Sequence, residues 1–260
     1  MKPHGNDPAE WQLRTRNVRL PRSDELPLLM GIVNTTPDSF SDGGQWVQIE
    51  SAVAHGLSLI EAGADILDIG GESTRPFSDP VDAKEEWRRV GEVVRILSRE
   101  SDCPLSIDTS KASVAKNALE NGAEIINDVT GLEGDPEMIR IARETGAGIC
   151  AMHMQGTPKT MQINPTYENV VAEVYAYLED QKNTFATAGI APEKICLDPG
   201  IGFGKTHSHN IELMKYASKF LDLGCPILIG HSRKGFLGKL VKQTLHREPS
   251  LHERDIATAA

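Results

Sequence analysis

Asp108, Asn127 and Asp198 are the side chains from which a chemistry can first be read. Each directly follows a short run rich in Ile, Leu and Val, where a buried strand would deliver its next residue to the rim of a sheet. One acid in such a place is common. Three acid or amide groups converging on one mouth need hydrogen-bond donors, because an unpaired buried carboxylate costs several kcal/mol. The ligand they imply is donor-rich.

Four loops add to this set. Asn34 to Gly44 is long and rich in Gly, Ser and Asp, with Phe40 between Asp38 and Asp42 able to close over a flat ligand. Gly70 to Pro76 reads as an anion grip, glycines allowing close backbone approach while Thr74 and Arg75 donate. Asp198 to Thr206 has the look of a phosphate-binding Gly-rich loop, but Pro199 stands where that pattern needs glycine, so its glycines are expected to present Phe203 at the rim. Gly230 to Gly235 brings Ser232 and Lys234 to a strand end, where they could hold a phosphate or a polar ring edge. His207 and His209 form an H-x-H pair without a third His or a Cys nearby, and a loop-to-helix junction is the expected role.

These groups need elements to carry them. Apolar runs at Leu28–Val33, Ile66–Ile69, Leu105–Ile107, Glu124–Ile126, Gly148–Met152, Ile195–Leu197 and Ile227–Ile229 predict parallel strands. Amphipathic segments between them predict helices over Ser51–Ala62, Asp82–Arg99, Ser113–Asn121, Pro136–Thr145, Tyr167–Ala188 and Ile211–Leu223, five of them stopped by a following glycine, with a last helical stretch around Glu253–Ala260. Alternation of this kind means an α/β fold. Because polar residues end nearly every run, a (β/α)8 TIM barrel is expected, which gathers all its strand ends on one rim, rather than a doubly wound sheet. Only seven strands are counted, so the barrel is expected to lack its eighth strand and last helix. Trp11–Leu20 alternates enough to form a hairpin under the barrel. The expected division is an extension or cap over 1–27 and one barrel domain over 28–260.

The 260 residues and 39% hydrophobic content suffice for one such core. A net charge of −10 without a basic run argues against nucleic acid as a partner. It also requires any site for an anion to be locally basic. No apolar stretch reaches the roughly 20 residues of a membrane span. The four cysteines form no C-x-x-C pair and read as buried free thiols of a cytoplasmic protein.

Seven motifs then stand in order: MGIVNTTPDSFSDGG from Met30, DIGGESTRP from Asp68, SIDTSK from Ser106, IINDVTGL from Ile125, MHMQGTPKTMQ from Met152, LDPGIGFGK from Leu197 and GHSRKGFLG from Gly230. Together they resemble the dihydropteroate synthases, pterin-binding enzymes with a (β/α)8 barrel. The resemblance implies condensation of 4-aminobenzoate with a dihydropterin-CH2 diphosphate in folate biosynthesis, competition by sulfonamides, and a cytoplasmic homodimer. It implies Asp108, Asn127, Asp198 and Lys234 around the pterin, whose amino-pyrimidinone edge supplies the donors. Lys234, Asp108 and Asp198 are its candidate catalytic residues. It implies Asn34 on the Mg2+ that accompanies the diphosphate, Thr74 and Arg75 near the diphosphate, and Phe40, Asp42, Pro76, Phe203 and Ser232 lining the aminobenzoate pocket. A non-catalytic pterin-binding remnant and a methyltetrahydrofolate-binding methyltransferase domain share the pterin contacts, although the S-T-R-P and S-R-K loops argue against the latter.

The family's eighth strand carries an Arg and a His that bind the diphosphate. Without them, residues 1–260 are expected to melt early and to turn over weakly. Two charge-assisted contacts of roughly 1.5–3 kcal/mol each would be lost, weakening diphosphate binding by one to several orders of magnitude. Melting and turnover like those of a chain extended by a strand and helix would contradict this.

Overall fold

The computed structural model describes residues 9–22, 24–36, 45–75 and 78–259. Among these residues, eight strands and eight α-helices follow in chain order. They are β1 (Glu10–Gln12), β2 (Asn17–Arg19), β3 (Met30–Asn34), α1 (Gln45–Glu61), β4 (Ile66–Gly70), α2 (Ala83–Glu100), β5 (Leu105–Asp108) and α3 (Ala112–Glu120). Then come β6 (Ile125–Asp128), α4 (Met138–Thr145), β7 (Gly148–Met152), α5 (Val170–Thr187), β8 (Ile195–Asp198), α6 (His207–Lys215), α7 (Gly235–Leu245) and α8 (Leu251–Ala259).

Strands β3 to β8 form one sheet in strictly sequential order, every neighbouring pair parallel. A doubly wound sheet reverses its order at a switch point, whereas sequential winding is the sense of a barrel. The apolar runs form strands because they are covered on both sides; every residue of β4, β7 and β8 is buried. The glycines expected to stop helices, Gly63, Gly122, Gly146, Gly189 and Gly224, all have positive φ, the left-handed conformation that ends a helix without a Cβ penalty.

The last run differs from expectation. Ile227–Ile229 forms a single bridge, Leu197 with Ile227, and not a strand. The Leu228 N–H donates to the Leu197 carbonyl and the Leu197 N–H to the Pro226 carbonyl, and a ladder does not build from one residue's pairing. The predicted helix over Ile211–Leu223 is displaced as well. Thr206 and His209 close a capping box that starts α6 earlier, and Ala217–Leu223 continues as a 3-10 turn. His209 therefore serves as a helix cap. Helix α7 has no counterpart among the expected elements.

The expected hairpin is present: β1 and β2 pair antiparallel. Trp11 and Leu13 pack with Ile66, Ile125, Cys150 and Cys196 at the amino-terminal end of the sheet. Trp11 Nε1–H donates to the Lys194 carbonyl at 3.0 Å, and Lys194 Nζ donates back to the Leu13 carbonyl at 3.0 Å. Buried Glu124 accepts from Arg16 Nε at 2.6 Å and from the Thr15 N–H at 3.1 Å. Because Trp11 is only 3% exposed, Trp11→Ala should cost about 3–5 kcal/mol in urea unfolding. A loss below about 1 kcal/mol would mean that the hairpin merely rests on the sheet.

Candidate functional site

Parallel register builds the mouth of the site. Asn34 lies beside Gly70, Gly70 beside Asp108, and Asp108 beside Asn127, so three of the expected groups form one row across β3 to β6. A Cβ on Gly70 would sit 3.4 Å from Asp108 Oδ2 and 3.7 Å from Asn34 Oδ1, so the glycine is a shallow gap between the two side chains. Asn34 is exposed, while Asp108 and Asn127 are half-buried. Asn127 Nδ2 donates to Asp68 Oδ2 at 2.9 Å, which fixes the amide from below. Burial raises the Asp68 carboxyl, against the hydrogen bond from Asn127. Burial also raises Asp108 well above the usual carboxylate range, reinforced by the charge of Asp68.

The opposite flank comes from β8 and the segment before α7. Asp198 is buried, and its Oδ1 accepts from the Gly200 N–H at 2.7 Å. Burial pushes its carboxyl up to about 6, although the Gly200 hydrogen bond and the charges of Lys234 and Lys205 pull the other way. Lys234 Nζ stands 4.0 Å from the centre of the Phe203 ring, a cation–π contact. Burial lowers the Lys234 ammonium while Asp198 and Asp108 sustain its charge, so this lysine spans the two flanks.

The remaining expected residues spread around the rim. Thr74 is half-buried and Arg75 exposed, in the loop after β4. The Arg75 backbone closes that loop on itself, its N–H donating to Ser73 Oγ at 3.4 Å and its carbonyl accepting from Ser78 at 3.2 Å. Ser232 is exposed beside Lys234. Arg233, at φ 55°, is tied to α8 through Asp255 Oδ2 at 3.0 Å. Phe40, Asp42 and Pro76 lie outside the described residues.

Two arrangements escaped the sequence reading. Lys111 Nζ bridges Glu72 Oε2 at 2.6 Å and fully buried Glu86 Oε2 at 2.5 Å. Glu72 Oε1 in turn accepts from the Val81 N–H at 2.8 Å, and the shared Lys111 ties the anion-grip loop to α2 through Glu86. Burial opposes the Lys111 charge, yet the two carboxylates raise its pKa overall. The second is Lys205, only 2% exposed, whose Nζ lies 3.0 Å from His153 Nδ1. Burial lowers Lys205 to about 7, against the attraction of Asp198. Burial and the Lys205 charge bring His153 down to about 3. Both lysines stand inside motifs, SIDTSK and LDPGIGFGK, and that was the available signal.

Together these groups offer acceptors in a row, cations opposite and an aromatic face between, a combination suited to a flat, donor-rich ring with an anionic substituent. The profile described as pterin binding enzyme matches residues 30–260. A dihydropteroate synthase of Neisseria meningitidis serogroup C is 49% identical over 237 residues, spanning 90% of this chain and 82% of that protein. The structure of Xanthomonas albilineans dihydropteroate synthase with 4-aminobenzoic acid superposes with a TM-score of 0.86 at 40% identity, covering 96% of this chain and 86% of that one. The same enzyme in complex with 7,8-dihydropteroate gives 0.82 at 38% identity, over 95% and 85%. With its sequentially wound barrel strands and its row of acceptors facing a lysine, the chain belongs to the dihydropteroate synthase family of pterin-binding enzymes.

Proposed function

We propose that this chain condenses 4-aminobenzoate with (7,8-dihydropterin-6-yl)methyl diphosphate, giving 7,8-dihydropteroate and pyrophosphate. The observation that carries the reading is the convergence of Asp108, Asn127, Asp198 and Lys234 on one mouth, in a chain whose relatives are dihydropteroate synthases. The two aspartates and the Asn127 carbonyl accept from the amino-pyrimidinone edge, and Lys234 donates to the ring's acceptors. A carboxylate disfavoured in the empty pocket gains most when a ligand supplies its missing donors, so burial here is a source of affinity.

The bond that breaks joins the pterin methylene to the diphosphate oxygen. The bond that forms joins that methylene to the amine of 4-aminobenzoate, which then loses a proton. The amine is already nucleophilic, so the reaction requires stabilisation of the leaving group and exclusion of water, not an activated serine or cysteine. Thr74 and Arg75 serve the diphosphate. Phe203 and Ser232 line the aminobenzoate side of the site.

Among the described residues, no group of three or more His, Cys, Asp and Glu side chains is gathered to hold a metal. Mg2+ needs none when it travels on the substrate, since it keeps several waters and takes one or two protein oxygens beside the phosphates. The exposed Asn34 amide at the end of β3 fits that mode and would hold the ion. When bound, Mg2+ supplies charge neutralisation of the departing diphosphate.

Aminobenzoate-dependent release of pyrophosphate by the purified chain tests the reading directly. Lys234→Met should lower kcat/KM by about 10²–10³-fold, the usual loss when one electrostatic stabiliser is removed. Pterin binding without any turnover would favour the remnant, and binding of methyltetrahydrofolate but not the diphosphate would favour the methyltransferase reading.

The pH dependence follows from Asp198. Its folded-state value of about 6 lies above the ordinary 3.8, so the carboxyl takes up a proton as pH falls through about 6 and loses acceptor capacity. Pterin affinity should therefore decline as pH falls below about 6, toward tenfold per unit. Asp198→Asn should bind more weakly and flatten the acid limb. A flat profile in the parent chain, measured by calorimetry from pH 5 to 8, would remove Asp198 from this role.

A further inference from the structure

Three of the glycines after β8, at positions 200, 202 and 204, have φ values of 70°, 87° and 60°. Glycine adopts this conformation freely but has no preference for it, so such a loop holds its shape only if something outside it does the holding. Phe203 lies inside this run, under Lys234.

We infer that Lys205 is the positioning residue of the site, knotting the loop after β8 to the loop after β7 and thereby fixing Phe203 beneath Lys234. Its Nζ donates to the Phe203 carbonyl at 2.9 Å and the His153 carbonyl at 3.3 Å, and lies 3.0 Å from His153 Nδ1. The three contacts are drawn from two loops, His153 after β7 and Phe203 after β8. The loops touch at backbone distance. A Cβ on Gly200 would fall 1.9 Å from the His153 carbonyl oxygen, and one on Gly204 would fall 2.5 Å from the Gln155 carbonyl oxygen. Tyr167 Oη donates to the Gly204 carbonyl at 2.9 Å and Gln162 Nε2 to the Gly202 carbonyl at 2.9 Å, so the β7 loop reaches across at both sides of Phe203. On the far side, a Cβ on Gly202 would meet Lys234 Cδ at 2.9 Å, leaving Lys234 no room to follow a shifted loop.

The kinetic part of the test rests on the synthase reading, and the structural part does not. Hydrogen exchange is followed in the full chain for segments 153–155 and 198–205. There the amides of His153, Gly200, Gly202 and Phe203 donate to Asp198 O, Asp198 Oδ1, Asn210 Oδ1 and Gly200 O. Lys205→Met should speed exchange at least tenfold in both segments while leaving the α2 and α3 segments within twofold. Unchanged exchange in the two loops, or an equal rise everywhere, would overturn the proposal. If Lys205→Met does not fold, Lys205→Arg replaces it, and exchange identical to the parent's would again overturn it.

In turnover, Lys205→Met and Phe203→Leu should each raise the KM for 4-aminobenzoate about tenfold while pterin affinity changes less than threefold. The double variant should be no more than about twofold worse than either single one, because both remove the same interaction. Multiplying effects would show that Lys205 does not act through Phe203. Local loosening of the two loops without turnover in the parent would uphold the knot and sink the synthase reading alone.

Discussion

In a parallel sheet each residue has a fixed lateral neighbour, and a slip of one position turns every side chain to the opposite face. The site depends on this constraint. Asn34, Asp108 and Asn127 come from three separate strands and are far apart in sequence, yet register sets them in one row with Gly70 as the gap between two of them. The same constraint sets Asp198 one position beyond Cys196 and Leu197, whose partners in β7 are Cys150 and Ala151. No loop has to be ordered for these acceptors to face one mouth.

What the loops add is charge management. The chain carries a net charge of −10, and the mouth gathers buried acids that repel one another. Lys234 and Lys205 both act on Asp198, and Lys111 neutralises Glu72 and Glu86, whose charges reach Asp108. Each buried cation thus faces more than one acceptor. Removing one would strand several groups, which is costlier than breaking an isolated surface pair.

The strands were legible because burial on both faces leaves nearly continuous apolar runs, and the helix ends because glycine marks them. Ile227–Ile229 has the same composition as those runs, but composition does not reveal that pairing reaches it from one side only. Helix α7 begins Gly-Phe-Leu-Gly, a poor helix start by propensity, and α8 packed beside it supplies what propensity withholds. The acids and Lys234 could be named from their motifs. Glu86 could not, since an acid among apolar helix positions reads as solvated until the lysine of a later loop is found against it. Lys205 closes a glycine-rich loop, and nothing in that composition marks its lysine as buried.

The hairpin beneath the sheet has a consequence for the timing of assembly. Its anchors lie far along the chain: Trp11 meets Lys194 across 183 residues, and Arg16 meets Glu124 across 108. On a ribosome adding about 5–20 residues per second, the hairpin emerges before its anchors, and its main dock does not exist for roughly 10–40 s. Meanwhile the indole and Leu13 remain exposed to any apolar surface nearby. A segment made before its partners is thus among the last to be satisfied, and it clasps the base of the sheet only once β8 has joined. High sequence separation of this kind slows folding and lengthens the aggregation-exposed interval. For this chain, that interval is set by the hairpin, far from the chemistry.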